Sequence, residues 1–460
     1  MQFRNSLSRR QMLKQVARIG GACAGGSALS SRLLPLLASP TAEVHPLSAR
    51  PAHYAPKANR AIMFFLTGGA SHVDSFDPKP ELQAKDGMIF HKDQPLVASP
   101  WNARPRGKSG MMITDLFPHV GSVADNLCLI RSMHGDHNDH FEATLHMHTG
   151  SNGSAMPGIG AWVSYALGTQ NTSLPSHIVF AENAPYAGAQ VWDNHMLPAY
   201  HQGMRITPGD DPIPYLKPQD NNPEYLQNRE LGLLESLNRR HYQTRQGDSE
   251  LAARMLSFKT ANSLQRIAPD LFDLSKESDQ TLELYGVSRD DRQSFGWQTL
   301  VARRMAEAGV RFIELVDTGS HSNWDSHSKI TRHEPLARKV DQPMAALLKD
   351  LKLRGMLDDT LVICCTEFGR TAYGKKEGRN HHKNAFSCWL AGGGARPGQV
   401  YGETDELGLE VAKDPVHVHD FHATILHLLG LDHEKLTYRH SGRDFRLTDV
   451  FGKVVPGLLA

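Results

Sequence analysis

The sequence predicts an α/β fold with a largely parallel central sheet and helices on both faces. Three observations carry this. First, short apolar runs recur: AIMFFL at 61–66, LCLI at 127–130, RFIELV at 311–316, TLVICC at 360–365 and FSCWLA at 386–391. Runs that are apolar throughout, without alternation, mark strands covered on both faces. Second, WQTLVARRMAEAG (297–309) and QPMAALLKDLKLRG (342–355) keep apolar residues at three- and four-residue spacing and end at glycine, as helices do. Third, each apolar run opens into a polar or glycine-rich cluster. Ligands in such sheets sit beyond the carboxyl ends of the strands, and histidines, carboxylates and glycines collect there.

Taken in chain order, SRRQMLK at 8–14 leads into a glycine-rich, mildly apolar run that reaches Ala42. Paired arginines before such a run form a twin-arginine export signal. Residues 1–42 are therefore expected to be a cleaved signal, and 43–59 a linker. Arg18, Arg32 and Pro35 interrupt the run, so no stable membrane span is expected. The expected location is periplasmic or extracellular, with the twin-arginine machinery as a partner. That route carries folded proteins, so a metal could be acquired before export. Residues 60–455 read as one α/β domain with a charged, helical insertion at about 205–285. Cys128, Cys364, Cys365 and Cys388 each lie in an apolar run and read as buried thiols, with one disulfide as the alternative.

The 460 residues carry a net charge of +1, so no basic face is implied and nucleic acid is not expected as a partner. No G-x-G-x-x-G follows the first strand, which argues against an oxidoreductase. Histidine is the outlier, at 25 residues. Neutral imidazole is the commonest transition-metal ligand, so clustered histidines favour a metal site.

Four constellations offer ligands. TEFGRT places Glu367 at a strand tip, where a carboxylate can bind metal, and Arg370 where it can hold an anionic ester. The plainer alternative is a loop acid paired with Arg370. GRNHHKNAF brings His381 and His382, which point opposite ways in an extended segment, so only His381 is taken as a ligand. Arg379 is near enough to serve the same anion. In SNWDSH, Asp325 and His327 share a side of an extended loop and suit chelation of one ion, although D-x-H alone is common. TGGASHVDSFDP follows the first strand and offers Ser71, His72 and Asp74. HVHDFHATILHLLGLD reads as structural, with Asp420 as helix N-cap.

GGASHVDSFDPKP, NWDSHS, TEFGRT, GRNHHKNAFSCWLAGGG, GQVYGETDELG and HDFHATILHLLGLD, in that order, resemble the sulfatase-like domain of unknown function 1501 family. That family is grouped with the alkaline phosphatase superfamily. The resemblance implies a three-layer α/β/α sandwich, divalent metal (zinc, calcium, magnesium or manganese) at the sheet's carboxyl edge, and phosphate- or sulfate-ester chemistry. Residue by residue, Glu367 takes the superfamily's aspartate position, and Phe368 replaces the histidine that should follow. His381 matches its last histidine, and Asp325 with His327 its other Asp…His pair. Gly68 and Gly69 stand where a first-strand aspartate is expected, so His72 or Asp74 would have to substitute.

HGDHNDHFEATLHMHTG (134–150) resembles the sulfatase nucleophile turn and helix, with His140 in the nucleophile's place. The resemblance makes His140 a metal ligand or an unusual nucleophile, and makes Arg131 an oxyanion binder. The function expected is an exported metal-dependent hydrolase of phosphate or sulfate esters, acting on a small-molecule or polysaccharide ester. The alternative is a metal-bearing binding or scaffold protein that keeps the fold without turnover, which the missing nucleophile and Phe368 both favour.

Overall fold

The structure, a computed structural model, describes residues 46–214, 216, 223–245 and 248–460. The expected export signal lies outside them. Nine strands form one sheet: β1 (Arg60–Phe65), β2 (Leu127–His134), β3 (His177–Ala181), β4 (Met204–Ile206), β5 (Phe312–Val316), β6 (Thr360–Cys365), β7 (Phe386–Ala391), β8 (Gln399–Tyr401) and β9 (Val416–His417). Their order is β8-β2-β7-β6-β1-β5-β3-β4, with β9 also pairing β2. All run parallel except β7, which is antiparallel to both neighbours. One rim therefore collects the carboxyl ends of eight strands and the start of β7.

The seven longer helices are α1 (His140–Thr149), α2 (Ile159–Leu167), α3 (Glu224–Gln243), α4 (Ser249–Phe272), α5 (Phe295–Glu307), α6 (His333–Leu353) and α7 (Val418–Leu428). Side chains of β1 alternate between two cores. Ile62 and Phe64 pack with Trp297 and Leu300 of α5 and Met344 and Leu347 of α6. Ala61, Met63 and Phe65 pack with Trp162 of α2 and Phe421 and Ile425 of α7. Helices thus cover both faces, and the layers are α/β/α. Fully burying each large side chain contributes about 1.5–3 kcal/mol, so the unbroken apolar runs stabilise the fold from both sides.

Both expected helices form. Ser294 caps α5 by accepting from the Trp297 amide at 3.0 Å. α6 starts well before 342, because Ala337 and Val340 extend the buried stripe toward its N-terminus. In the insertion, α4 sends Leu264 and Ala268 into the core below α5. Four of the nine strands, β3, β4, β8 and β9, lie outside the five apolar runs; β4 and β8 carry only three residues of pattern and β9 two. Residues 47–59, read as linker, lie on the body: Leu47 is buried, the Arg50 amide donates to Leu167 O at 3.0 Å, and the Lys57 and Ala58 amides donate to Leu428 O at 2.9 Å.

The N-cap of α7 is His417 rather than Asp420. His417 Nδ1 accepts the His419 amide at 3.2 Å, and Asp420 accepts the His417 amide at 3.2 Å from inside the first turn. Cys128, Cys364, Cys365 and Cys388 are free and buried, and burial pushes the thiols of Cys128 and Cys388 up to about 12. Among the described residues, no helix is long and apolar enough to cross a membrane.

Candidate metal centre

Four rim segments build the site. From β1 the chain enters Thr67-Gly68-Gly69. Gly68 has φ +109°, and a Cβ there would stand 2.7 Å from Asn323 Oδ1 and from the Trp324 and Asp325 amide nitrogens. Only glycine lets this loop lie against the turn after β5. That turn is held by the Trp324 indole, which donates to buried Asp317 at 2.5 Å, and by Asn323 Oδ1, which accepts the Asp325 amide at 3.1 Å. β6 delivers Glu367. The hairpin between β6 and β7 delivers His381, paired across from Arg370. α1, capped by Asp139 accepting from the Phe141 amide at 3.1 Å, starts with His140 inside the rim.

His140, Asp325 and His381 present ligand atoms that lie within 4.8 Å of one another. Asp325 Oδ1 is 3.5 Å from His140 Nε2, 3.3 Å from His381 Nε2 and 2.9 Å from His327 Nε2. His327 Nε2 and His381 Nε2 are 2.9 Å apart. Ligands about 2.05 Å from a tetrahedral zinc stand about 3.3 Å from each other, so the spacing suits one ion.

The tautomers sharpen this. His381 Nδ1 lies 2.6 Å from Asn138 O. A carbonyl can only accept, so Nδ1 carries a proton, and Nε2 is the nitrogen turned toward Asp325 and His327. His140 Nδ1 faces Glu367 Oε1 at 2.7 Å, and its Nε2 is buried with no hydrogen-bond partner. In their neutral forms both rings would turn a lone pair toward one carboxylate. Lone pairs so placed repel unless a cation or protons stand between them.

The local fields agree. Burial disfavours the charged form of His140, but its contacts with Asp325 and Glu367 outweigh this and raise its pKa. Asp325 sits far below the usual carboxylate range: burial opposes ionisation, and His140, His381 and Arg370 overcome it. Glu367 is fully buried, yet the His140 contacts and the Gly68 amide hold it low. Phe368, where the resemblance lost a ligand, lies 4.7 Å from the rings of both His140 and His381 and walls them on the inner side.

Other expected site residues are placed elsewhere or serve differently. Glu367, read as a ligand, stands behind His140: Oε1 takes the His140 ring and the Gly68 amide at 2.8 Å, and Oε2 lies 3.2 Å from the Thr366 hydroxyl. His72 Nε2 is bound to Gly408 O at 2.8 Å, away from the centre. Asp74 is a buried partner of Arg379, at 2.6 and 3.0 Å, and accepts from Ser71 at 2.5 Å. Arg379 also donates to Val97 O and Thr371 O.

Arg370 is fully buried. It donates to the carbonyls of Gly68 and Gly69 and pairs with Asp325 at 2.7 Å. Arg131 donates to Phe76 O and Met112 O at 2.8 and 2.9 Å and lies 3.5 Å from Asp77. Arg131 and Arg379 thus brace loops, while Arg370 braces Gly68 and Gly69 and pairs with Asp325 inside the centre. In each case nearby carbonyls and acids supply the partners that an anion would have supplied.

The sequence reading missed three contributors, Tyr186, Asn323 and Asn138. Tyr186, from the loop after β3, stacks on His140 at 4.1 Å and 11°. Its hydroxyl accepts from Asn323 Nδ2 at 3.0 Å, leaving the phenolic proton free to donate. Asn138 fixes the His381 tautomer through its carbonyl. None of the three sits in a spacing that signals chemistry; the polar loop at the end of a buried strand was the only available hint.

The chain belongs to the family described as protein of unknown function (DUF1501), whose model matches residues 58–459. It is similar in structure to the PsFucS1 sulfatase from Pseudoalteromonas sp., at 11% identity, 88% of this chain, 72% of that one and a TM-score of 0.37. It is also similar to the alkaline phosphatase of the Antarctic bacterium TAB5, at 11% identity, 74% and 92% coverage and a TM-score of 0.30. A third is the lipoteichoic acid synthase LtaP from Listeria monocytogenes, at 9% identity, 87% and 78% coverage and 0.37. None of the curated proteins compared with the chain matches it.

Proposed function

We propose that this chain is an exported, metal-dependent hydrolase of phosphate or sulfate esters, with an ester of a small molecule or polysaccharide as its substrate. The observation that carries the reading is the convergence of His140 Nε2 and His381 Nε2 on one oxygen of Asp325, at 3.5 and 3.3 Å. That donor set fits a divalent ion with His140, Asp325 and His381 as ligands and the coordination position beside His327 left open. Glu367 fixes the His140 ring, as outer-shell carboxylates do for metal-bound histidines. A divalent cation at such a site polarises an ester oxygen and acidifies water. His327, about half exposed at 48% of its side chain, and the Tyr186 hydroxyl are the groups placed to meet an ester oxygen there.

The test is metal content and turnover by the purified full chain, with aryl phosphate and aryl sulfate as substrates. Turnover lost on chelation and restored by added metal supports the proposal; turnover that persists after exhaustive chelation and metal analysis refutes it.

A second reading, a metal-bearing binding protein without turnover, is favoured by one observation. Arg370 and Arg379 are fully buried and donate to internal carbonyls and carboxylates, so neither is free to turn to an ester. Metal bound without hydrolysis of either ester identifies that role.

A further inference from the structure

A second set of imidazoles meets where β9, α7 and the last turns of α1 come together. His146 of α1, His417 at the end of β9 and His419 in the first turn of α7 each offer a nitrogen within 4.8 Å of the other two. The His146 and His419 rings are 4.8 Å apart, edge to face. Asp136, in the loop after β2, closes the open side. Its Oδ1 is 3.2 Å from His417 Nε2, and its Oδ2 is 3.7 Å from His146 Nε2. None of these groups serves the ester site.

Two nitrogens in this cluster have nothing to bond. His419 Nε2 lies 2.8 Å from Gly150 O. The carbonyl accepts, so Nε2 carries the ring proton and Nδ1 is a bare lone pair, buried and without a partner. His146 is 2% exposed, and its Nε2 is likewise without a partner. A buried polar atom left without a partner destabilises the fold. A cation between them and the Asp136 carboxylate removes that cost. His417 differs: its Nδ1 accepts the His419 amide at 3.2 Å, so its Nε2 carries a proton and donates to Asp136.

We infer that His146 Nε2, His419 Nδ1 and the Asp136 carboxylate hold a second divalent transition-metal ion, with His417 positioning Asp136. Two imidazoles and one carboxylate suit zinc; calcium and magnesium prefer oxygen ligands throughout. The bond from His419 to Gly150 O is the outer-shell contact that orients a metal-bound ring. The Asp136 side chain is 45% exposed, so the remaining coordination position faces solvent.

The experiment titrates the full chain with zinc against a chromophoric chelator and records the absorption spectrum of the cobalt-loaded protein. Wild type is expected to bind two zinc ions, and Asp325→Asn to retain this one. Asp136→Asn, a change at the surface that leaves the core intact, should weaken the second ion at least tenfold, and His419→Gln should do the same and alter the cobalt bands. His417→Gln keeps an amide donor for Asp136 and should weaken it less. One zinc ion that is insensitive to Asp325→Asn but lost with His419→Gln supports this site even if the first centre fails. Zinc count and affinity unchanged in both Asp136→Asn and His419→Gln, or no zinc bound by Asp325→Asn, overturn it.

Discussion

His140 and Glu367 form a buried hydrogen-bonded pair, Nδ1 to Oε1 at 2.7 Å, and this pair decides which face of the imidazole meets Asp325. The Glu367→Gln variant keeps an oxygen that can accept from His140 but removes the charge that makes the ring a strong base. Outer-shell carboxylates of this kind are worth about 10–100-fold in metal affinity. Calorimetric titration should show a loss of that size with little change in fold. An unaltered affinity would mean that His140 does not bind the ion through Nε2.

Asp74 and Arg379 form a second buried pair, and both are fully buried. Removing one partner strands the other charge, so Asp74→Ala should cost about 3–5 kcal/mol in urea unfolding. The loss should appear with or without metal. A variant that is normally stable but cannot bind metal would return Asp74 to the site, contrary to the contacts seen here.

Gly68→Ala forces a Cβ to 2.7 Å from the backbone of Trp324 and Asp325 at a φ of +109°. Either the first-strand loop or the Asp325 turn must move. We expect about 1–3 kcal/mol of destabilisation and weaker metal binding together, read by thermal melts and titration of the same sample. Lost stability with intact metal affinity would show that the loop gives way without disturbing Asp325.

Buried neutral histidines make the fold sensitive to acid. Burial lowers His72 to about 4, and His177, His201 and His333 to about 3. Neither His177 nitrogen has a hydrogen-bond partner. These groups bind protons in the unfolded chain near 6.5 but not in the fold, so the unfolded state holds more protons within that window. Stability is then full above pH 6.5 and falls as pH drops from 6.5 toward 3, by up to about 1.4 kcal/mol per pH unit for each group. Asp341 acts the other way. Burial raises its carboxyl to about 6, so its ionisation costs the fold stability as pH rises through 4 to 6, which offsets one of the four. Urea unfolding at pH 7.5, 6.0 and 5.0 should show a steep decline; a flat profile would contradict the burial of these rings as neutral groups.

The sheet was legible because a strand covered on both faces must be apolar throughout, as in TLVICC and FSCWLA. That same uniformity hid the reversed direction of Phe386–Ala391, since alternation is absent in either orientation. Asp325, His327 and His381 were legible as residue types beyond strand ends, and His140 through the resemblance to the sulfatase nucleophile turn. The fates of Arg370 and Arg379 were not. An arginine beside a glycine loop reads alike whether it faces an ester or the loop's own carbonyls, and only the fold brings Gly68 O, Gly69 O and Asp74 to them. His146 and His419 were read past for a related reason. One sits in a helix among apolar neighbours, the other in a helix start, and the distance between positions 146 and 419 closes only when β9 pairs with β2.

The account rests on a single ion held by His140, Asp325 and His381. The most direct measurement is anomalous X-ray scattering from crystals of the full chain grown with zinc or manganese. A peak about 2.0–2.3 Å from His140 Nε2, His381 Nε2 and an Asp325 oxygen is the predicted result. Saturating metal with no peak among these three side chains, and Asp325 still bridged by protons alone, would contradict it.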